Sequence, residues 1–439
     1  MTHIWGIGWS IRNNFWALRV GGAGRVDANQ SAEQERWMTP PLRIATAVAL
    51  LLLFGLVLNT AHASPLTSAF EAACALNPEV ETLTARRAEL DARKGAADAL
   101  LPGGPWATVT HRTDALTRNR DTREYDAEVT VPVWLRGERT AALAAALTGA
   151  ERLEAEISSR RLDVARRVRD AYWMVAEARE KLAIAERRRS TASNLAQTIQ
   201  AQTRSAQAEL VDTRMATADL RDAEAALAGR KSELDQARIA FRVLSGRDPP
   251  VAFTEQTSVQ ATPDNHPRLL LRRKAIEKAE ADRSLVYAAD RERPEFGVFA
   301  TNSRDTSAEP NVTSLGVRVK IPFAYDAVNA PKRAAASAEV VGAQSELAQA
   351  EREVSGEAAQ ARARLEGARQ QFAALDARYA DLATVVELSQ KSQQAGQTPL
   401  TDLIRARLQL YDAATARVVA RIAVEKARSD YIQALGLEP

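Results

Sequence analysis

Apolar residues recur along this chain at alternating spacings of four and three. The first series is Val164, Val168, Ala171, Val175, Ala178, Leu182 and Ala185. A second runs Val354, Ala358, Ala361, Leu365, Ala368, Phe372 and Leu375, and continues through Tyr379, Leu382 and Val386. Charged residues fill the positions between. A seam held in phase this long is the heptad signature of packed helices. Alanine at many seam positions lets neighbouring helices approach closely. No proline lies between Arg136 and Arg204, which predicts one helix on the order of 100 Å long at ~1.5 Å per residue. A single globule does not house such a rod.

Elsewhere the period drops to two. Tyr125, Ala127, Val129, Val131 and Val133 are apolar and alternate with Glu124, Asp126, Glu128 and Thr130. Leu315, Val317, Val319, Ile321 and Phe323 alternate with Ser314, Gly316, Arg318 and Lys320. This predicts strands with one wet and one apolar face. Each has a partner strand before it, the weakly patterned Trp106–Thr113 and the alternating Glu295–Ser303. The polar stretches Asp114–Thr122 and Arg304–Asn311 read as exposed loops.

The two sets of patterns are copies at a fixed offset of 190 residues. Trp106 falls on Phe296, Val131-Pro132-Val133 on Ile321-Pro322-Phe323, Leu210-x-Asp212 on Leu400-x-Asp402, and Phe241–Gly246 on Tyr431–Gly436. Asn77-Pro78 and His266-Pro267 open the halves one residue out of step. The expected organisation is a leader and signal peptide over 1–63, a first repeat over 64–246, a linker over 247–265 and a second repeat over 266–439. Each repeat reads helix, strand, strand, long helix, return helix.

Composition narrows the function. Of 439 residues, 59 are basic and 56 acidic, a net charge of +3. The first 63 residues hold +2 of that, so the remainder has no uncompensated basic surface for a nucleic acid. The apolar run Ile44–Leu58 follows Arg43 and precedes Ala61-His62-Ala63, the layout of a cleavable secretory signal. Cleavage is expected after Ala63; an uncleaved anchor is the alternative. Met38 is a second candidate start. The lone Cys74 excludes an intrachain disulfide and a thiolate zinc cluster and reads as a small packed residue. His111 and His266 have no neighbours at ligand spacing, and His266 before Pro267 reads as a turn and helix-start signal. No catalytic constellation, cofactor loop or metal site emerges, so the chain is expected not to be an enzyme.

Four strands cannot close a barrel, and lipid does not tolerate an open sheet edge. Four from each of three chains would give twelve, an even number within the range of outer-membrane barrels. At this point the doubled repeat, the Asn77-Pro78 opening, the strand ending Val131-Pro132-Val133-Trp134 and the closing Ala434-Leu435-Gly436 resemble the TolC family of outer-membrane efflux proteins. The resemblance covers essentially all of 65–437. It implies a mainly α protein with a membrane β-barrel: a long α-helical barrel plus four strands per chain, closing as a 12-stranded barrel in a homotrimer. It also implies residence in the outer membrane with extension into the periplasm. The implied partners are a periplasmic adaptor and an inner-membrane, proton-driven pump of the resistance-nodulation-division type. Val129, Val131, Val133, Val317, Val319 and Ile321 would then face lipid.

The helix-to-helix turns are the other candidate site. Gly396 ends one helix, and Pro399 suits the first turn of the next. In the resemblance these turns form the periplasmic tip, and acidic residues just beyond them narrow the tunnel entrance. Asp402 occupies such a position, repeated by Asp212. The first turn departs from the pattern, with Ala206 in place of glycine. Arg405 stands where some members carry a second acid, a departure that argues against a double acidic ring here. The plainer reading is that both aspartates are helix-start carboxylates favoured by the helix dipole. The run from Val129 through Trp134 and Arg136-Gly137-Glu138 is most similar to the cation-efflux branch, with cobalt–zinc–cadmium and nickel–cobalt components. Export of drugs or other small molecules, or a periplasmic adaptor role, are the alternatives.

Overall fold

The structure, a computed structural model, describes residues 65–117, 120–205, 209–251, 255 and 265–439. The leader, the cleavage point and most of the linker lie outside the described residues. In chain order the elements are α1 (Pro65–Leu76), α2 (Pro78–Asp98), β1 (Trp106–Thr113), β2 (Arg123–Pro132), α3 (Glu138–Arg204), α4 (Leu210–Ser245), α5 (Pro267–Ala288), β3 (Glu295–Arg304), β4 (Val312–Lys320), α6 (Asp326–Gln394) and α7 (Leu400–Ala434). The expected rod is present twice, as the 67 residues of α3 and the 69 of α6.

Both repeats start on the same device. Asn77 Oδ1 accepts from the backbone N–H of Glu79 and Val80 at 3.0 and 3.2 Å, with Pro78 opening α2. His266 Nδ1 accepts from the Arg268 N–H at 3.2 Å, with Pro267 opening α5. Each side chain satisfies helix-start donors that have no partner within the helix. The repeats also end alike, on Gly246 and Gly436 with φ of +65° and +80°, backbone that glycine adopts without steric penalty. At Gly436 a Cβ would stand 2.8 Å from His266 Cδ2, so the end of the second repeat closes onto its start.

The strands form one antiparallel sheet in the order β1-β2-β3-β4. The strands β2 and β4 end at Pro132 and Lys320, just short of Val133 and Ile321. Pro132 and Pro322 lack the N–H that would extend the ladder, although the Val133 N–H still donates to Pro294 O at 2.9 Å. One equivalence in the sequence does not survive. Trp106 pairs with Thr130, whereas Phe296 pairs with Val131 and Val319. The second hairpin is slipped one residue relative to the first. A one-residue slip turns a side chain to the opposite face, so Trp106 shares the polar face and Phe296 the apolar one.

The main core lies between α1, α3, α4 and α7, where Leu66, Phe70, Val164, Val168, Tyr172, Val175, Phe241 and Ile422 pack. Cys74 packs there too, and burial pushes its thiol up to about 11. Arg161 ties distant parts of the chain to α3: its guanidinium donates to Glu71 at 2.7 Å and to Glu438 at 2.9 Å, and lies over the Phe70 ring.

Candidate functional site

The sheet has the wrong side out for a water-soluble domain. Paired residues share a face, so the register sorts the side chains without ambiguity. One face carries Ala127, Val129, Val131, Phe296, Val298, Ala300, Leu315, Val317 and Val319. Nothing among the described residues covers it: Leu315 is 80% exposed, and Val129, Val317, Val319 and the flanking Val133 and Ile321 are all exposed. The opposite face is polar and internally paired. Arg112 donates to Glu124 at 2.8 Å, Thr301 to Asp126 at 2.5 Å and Lys320 to Glu295 at 3.1 Å, while Arg318 pairs with Glu128. The sheet thus has one face of carboxylates paired with cations and one of bare valines. His111 stacks on Tyr125 at 4.3 Å near the loop end of the apolar face.

A buried joint connects sheet to rods. Glu138, the first residue of α3 and 2% exposed, accepts from the Leu135 N–H at 3.0 Å and from Arg293 Nε at 2.8 Å. Arg293 also lies over the Trp134 ring, whose Nε1–H donates to Ala99 O at 3.0 Å. The start of β3 is thereby fixed to the start of α3.

At the far end of the rods the two turns come together. Leu195 and Ile199 of α3, Ala216 of α4, and Leu400 and Leu403 of α7 form one small cluster. In the second turn Gly396 sits at φ +73°. The Gln397 N–H donates to Ser392 O and the Gly396 N–H to Gln393 O, both at 3.0 Å, which satisfies the last carbonyls of α6 as a Schellman motif does. Pro399 stands immediately before α7 rather than inside it. Asp402 and Asp212 lie in the first turns of α7 and α4. Arg405 Nη1 reaches Asp402 Oδ1 at 3.1 Å on an exposed surface. Its counterpart 190 residues earlier is Met215, so this pairing belongs to the second repeat alone. Ala206 lies outside the described residues.

Three features escaped the sequence. The first is a charge network inside the core, where Arg169 and Glu255 pair with side chains 2% and 8% exposed. Ser429 Oγ donates to Glu255 at 2.6 Å, Arg169 Nη1 to Leu437 O at 3.0 Å, and Gln433 Nε2 to Leu162 O at 2.7 Å. A lone charge in the stripe Leu162, Ala165, Arg169, Tyr172 was the available signal. The second is the register slip, and the third is Phe299, an aromatic on the polar face. Among the described residues no group of three or more His, Cys, Asp or Glu side chains could hold a metal ion. Nor is any described helix long and apolar enough to cross a membrane.

An inside-out sheet set on rods of this length defines the fold of the outer-membrane channel-tunnels. The fold matches CusC, described as undergoing transmembrane channel formation, at a TM-score of 0.69 and 17% identity, over 84% of this chain and 92% of that one. It matches the Neisseria gonorrhoeae MtrE outer membrane channel at 0.67 and 18%, over 85% and 89%. The Campylobacter jejuni CmeC outer membrane channel gives 0.66 and 14%, over 84% and 85%. Residues 70–247 match the family described as Outer membrane efflux protein. It is also 26% identical over 253 residues to the Cobalt-zinc-cadmium resistance protein CzcC of Cupriavidus metallidurans, a match spanning 55% of this chain and 59% of that protein.

Proposed function

We propose that three copies of this chain close their sheets into a 12-stranded barrel in the outer membrane, above a helical tunnel reaching into the periplasm. The observation that carries this is the sheet: a bare apolar face, a paired polar face, and two unpaired edges at β1 and β4. Lipid demands closure of those edges, and four strands cannot supply it alone. The channel would receive solute from an inner-membrane pump of the resistance-nodulation-division type through a periplasmic adaptor docking at the turns. It catalyses no reaction. Residues 64–246 and 266–439 would be its two repeats, joined by 247–265, and export would follow removal of residues 1–63.

The favoured cargo is a divalent heavy-metal cation such as nickel, cobalt, cadmium or zinc. The likeness to CzcC supports this. So do Asp212 and Asp402, which would set six carboxylates around one rim, although Arg405 offsets one of each pair. A conduit need not bind its cargo, so scarcity of His and Cys does not weigh against it. Loss of the chain from its host should lower tolerance to these metals and leave tolerance to lipophilic drugs unchanged; the reverse pattern would favour drug export. In single-channel recordings, Asp212→Ala with Asp402→Ala should reduce cation preference, less so at high salt. Unchanged selectivity with assembly intact would leave both as helix-start carboxylates, each worth about 0.3–1 kcal/mol.

A further inference from the structure

Two glycines interrupt the polar face of the sheet, and each has a side chain lying over it. A Cβ on Gly297 would stand 2.6 Å from Glu128 Oε1, and one on Gly316 would stand 2.7 Å from Phe299 Cε1. The Glu128 carboxylate therefore lies over Gly297 of β3 and the tip of the Phe299 ring over Gly316 of β4. Arg318 covers both: it pairs with Glu128 and its guanidinium lies 5.3 Å from the Phe299 ring centre. The glycines are required, since any side chain there would displace what rests on them.

The result sets the cations, rather than the more numerous acids, outermost on the polar face. The polar face carries four carboxylates, Glu124, Asp126, Glu128 and Glu295, against three cations, Arg112, Arg318 and Lys320. Yet the Arg318 side chain is 61% exposed and that of Glu128 12%; Lys320 is 56% exposed and Glu295 24%. The acids line the wall and the cations stand out from it. In a closed barrel β4 meets β1 of the next copy, whose neighbouring polar-face residues Trp106, Thr108 and Thr110 are uncharged, so nothing from that side cancels Arg318.

We propose that Glu128, Phe299, Gly316 and Arg318 form a selectivity-determining ring in the bore of the barrel, with three Arg318 guanidinium groups facing the passing solute. This rests on the channel reading above. The exit then presents guanidinium groups opposite in sign to the carboxylates at the tip, and these lower the cation preference set there without barring the cation cargo proposed above. Gly316 keeps the ring parked on the wall and the bore wide.

The test is single-channel recording of the full-length assembled protein in planar bilayers under a potassium chloride gradient. Arg318→Ala should raise the cation-to-anion permeability ratio by roughly twofold or more at 0.1 M salt, where the screening length is ~10 Å, with a smaller effect at 1 M, where it is ~3 Å. Arg318→Lys should leave the ratio near that of the unaltered protein. Glu128→Gln, which keeps the guanidinium, should lower the ratio, and it carries the test alone if Arg318→Ala does not assemble. Gly316→Ala should swing the ring into the bore and lower conductance, and Phe299→Ala in the same chain should restore it. Ratios unchanged in both charge variants, with normal conductance in Gly316→Ala, would overturn the ring while leaving the channel intact. Absence of any channel from the unaltered protein would instead overturn the channel reading.

Discussion

The two repeats carry the same seam and close it to different extents. In the first, α3 buries residues along nearly its whole length, from Glu138 to Ile199. In the second, α6 buries Asn329, Val340, Ala350, Val354, Ala361 and Leu365, then nothing from 366 to 394. The heptad continues there through Phe372, Leu375, Tyr379, Leu382 and Val386, and Val385 and Leu388 beside it are 45% and 60% exposed. A pattern of equal strength has thus found its partners in one half and only part of them in the other. The first repeat, filled by α1, Arg169 and Glu255, acts as the spine of the chain; the second leaves that stretch of its long helix less covered.

The largest expected effect lies in the spine. Arg169→Ala leaves Glu255 buried without its cation, a change that destabilises by about 3–5 kcal/mol. Unfolding in detergent should show it, and Arg169→Met with Glu255→Gln should recover much of the loss. A loss no greater than that of an exposed ion pair in the second repeat, such as Arg272 with Glu346, would break the distinction between the halves.

Next come the strand faces. Val319→Arg should impair assembly by about 2–4 kcal/mol if Val319 lies near the bilayer midplane, whereas Lys320→Ser on the polar face should be tolerated. Equal tolerance of both would show the faces reversed.

The helix caps separate the repeats by pH. Burial, and then the nearby Arg268 cation, lower His266 from its ordinary 6.5 to about 4, with Glu357 opposing. The unfolded ring takes up a proton as pH falls through 6.5, while the folded one does not until about 4. Stability is therefore lost across that window, by about 1–3 kcal/mol, and none of this loss operates above pH 6.5. Asn77 at the matching position does not titrate. His266→Asn should keep the cap and remove this acid-sensitive step; an unaltered pH profile would assign the step elsewhere. The smallest effect is Asn77→Ala, about 1 kcal/mol, insensitive to pH and measurable by thermal unfolding.

Period was what the sequence made legible. Seams and alternating strands located the rods, the sheet and the turns, because both periodicities follow from which face is apolar. The shared offset made each half a check on the other. Register was not legible: Trp106 and Phe296 align in sequence, but strand pairing depends on neighbouring strands and placed them on opposite faces. The Arg169–Glu255 pair was also hidden, because its acid comes from the linker, 86 residues away. Of the candidate site, the apolar wall was visible as alternation. The place of Phe299 over Gly316 was not, since it depends on a glycine of the adjacent strand. Arg405 was legible from its spacing, one helical turn on, as a partner for Asp402.

The central claim is that one chain is a third of a barrel, and its most direct test is the mass of the purified protein in mild detergent, measured by native mass spectrometry. The account predicts an assembly of three chains that opens ion-conducting pores when added to a planar bilayer. A monomer that stays soluble without detergent, its valine face exposed to water, would contradict it.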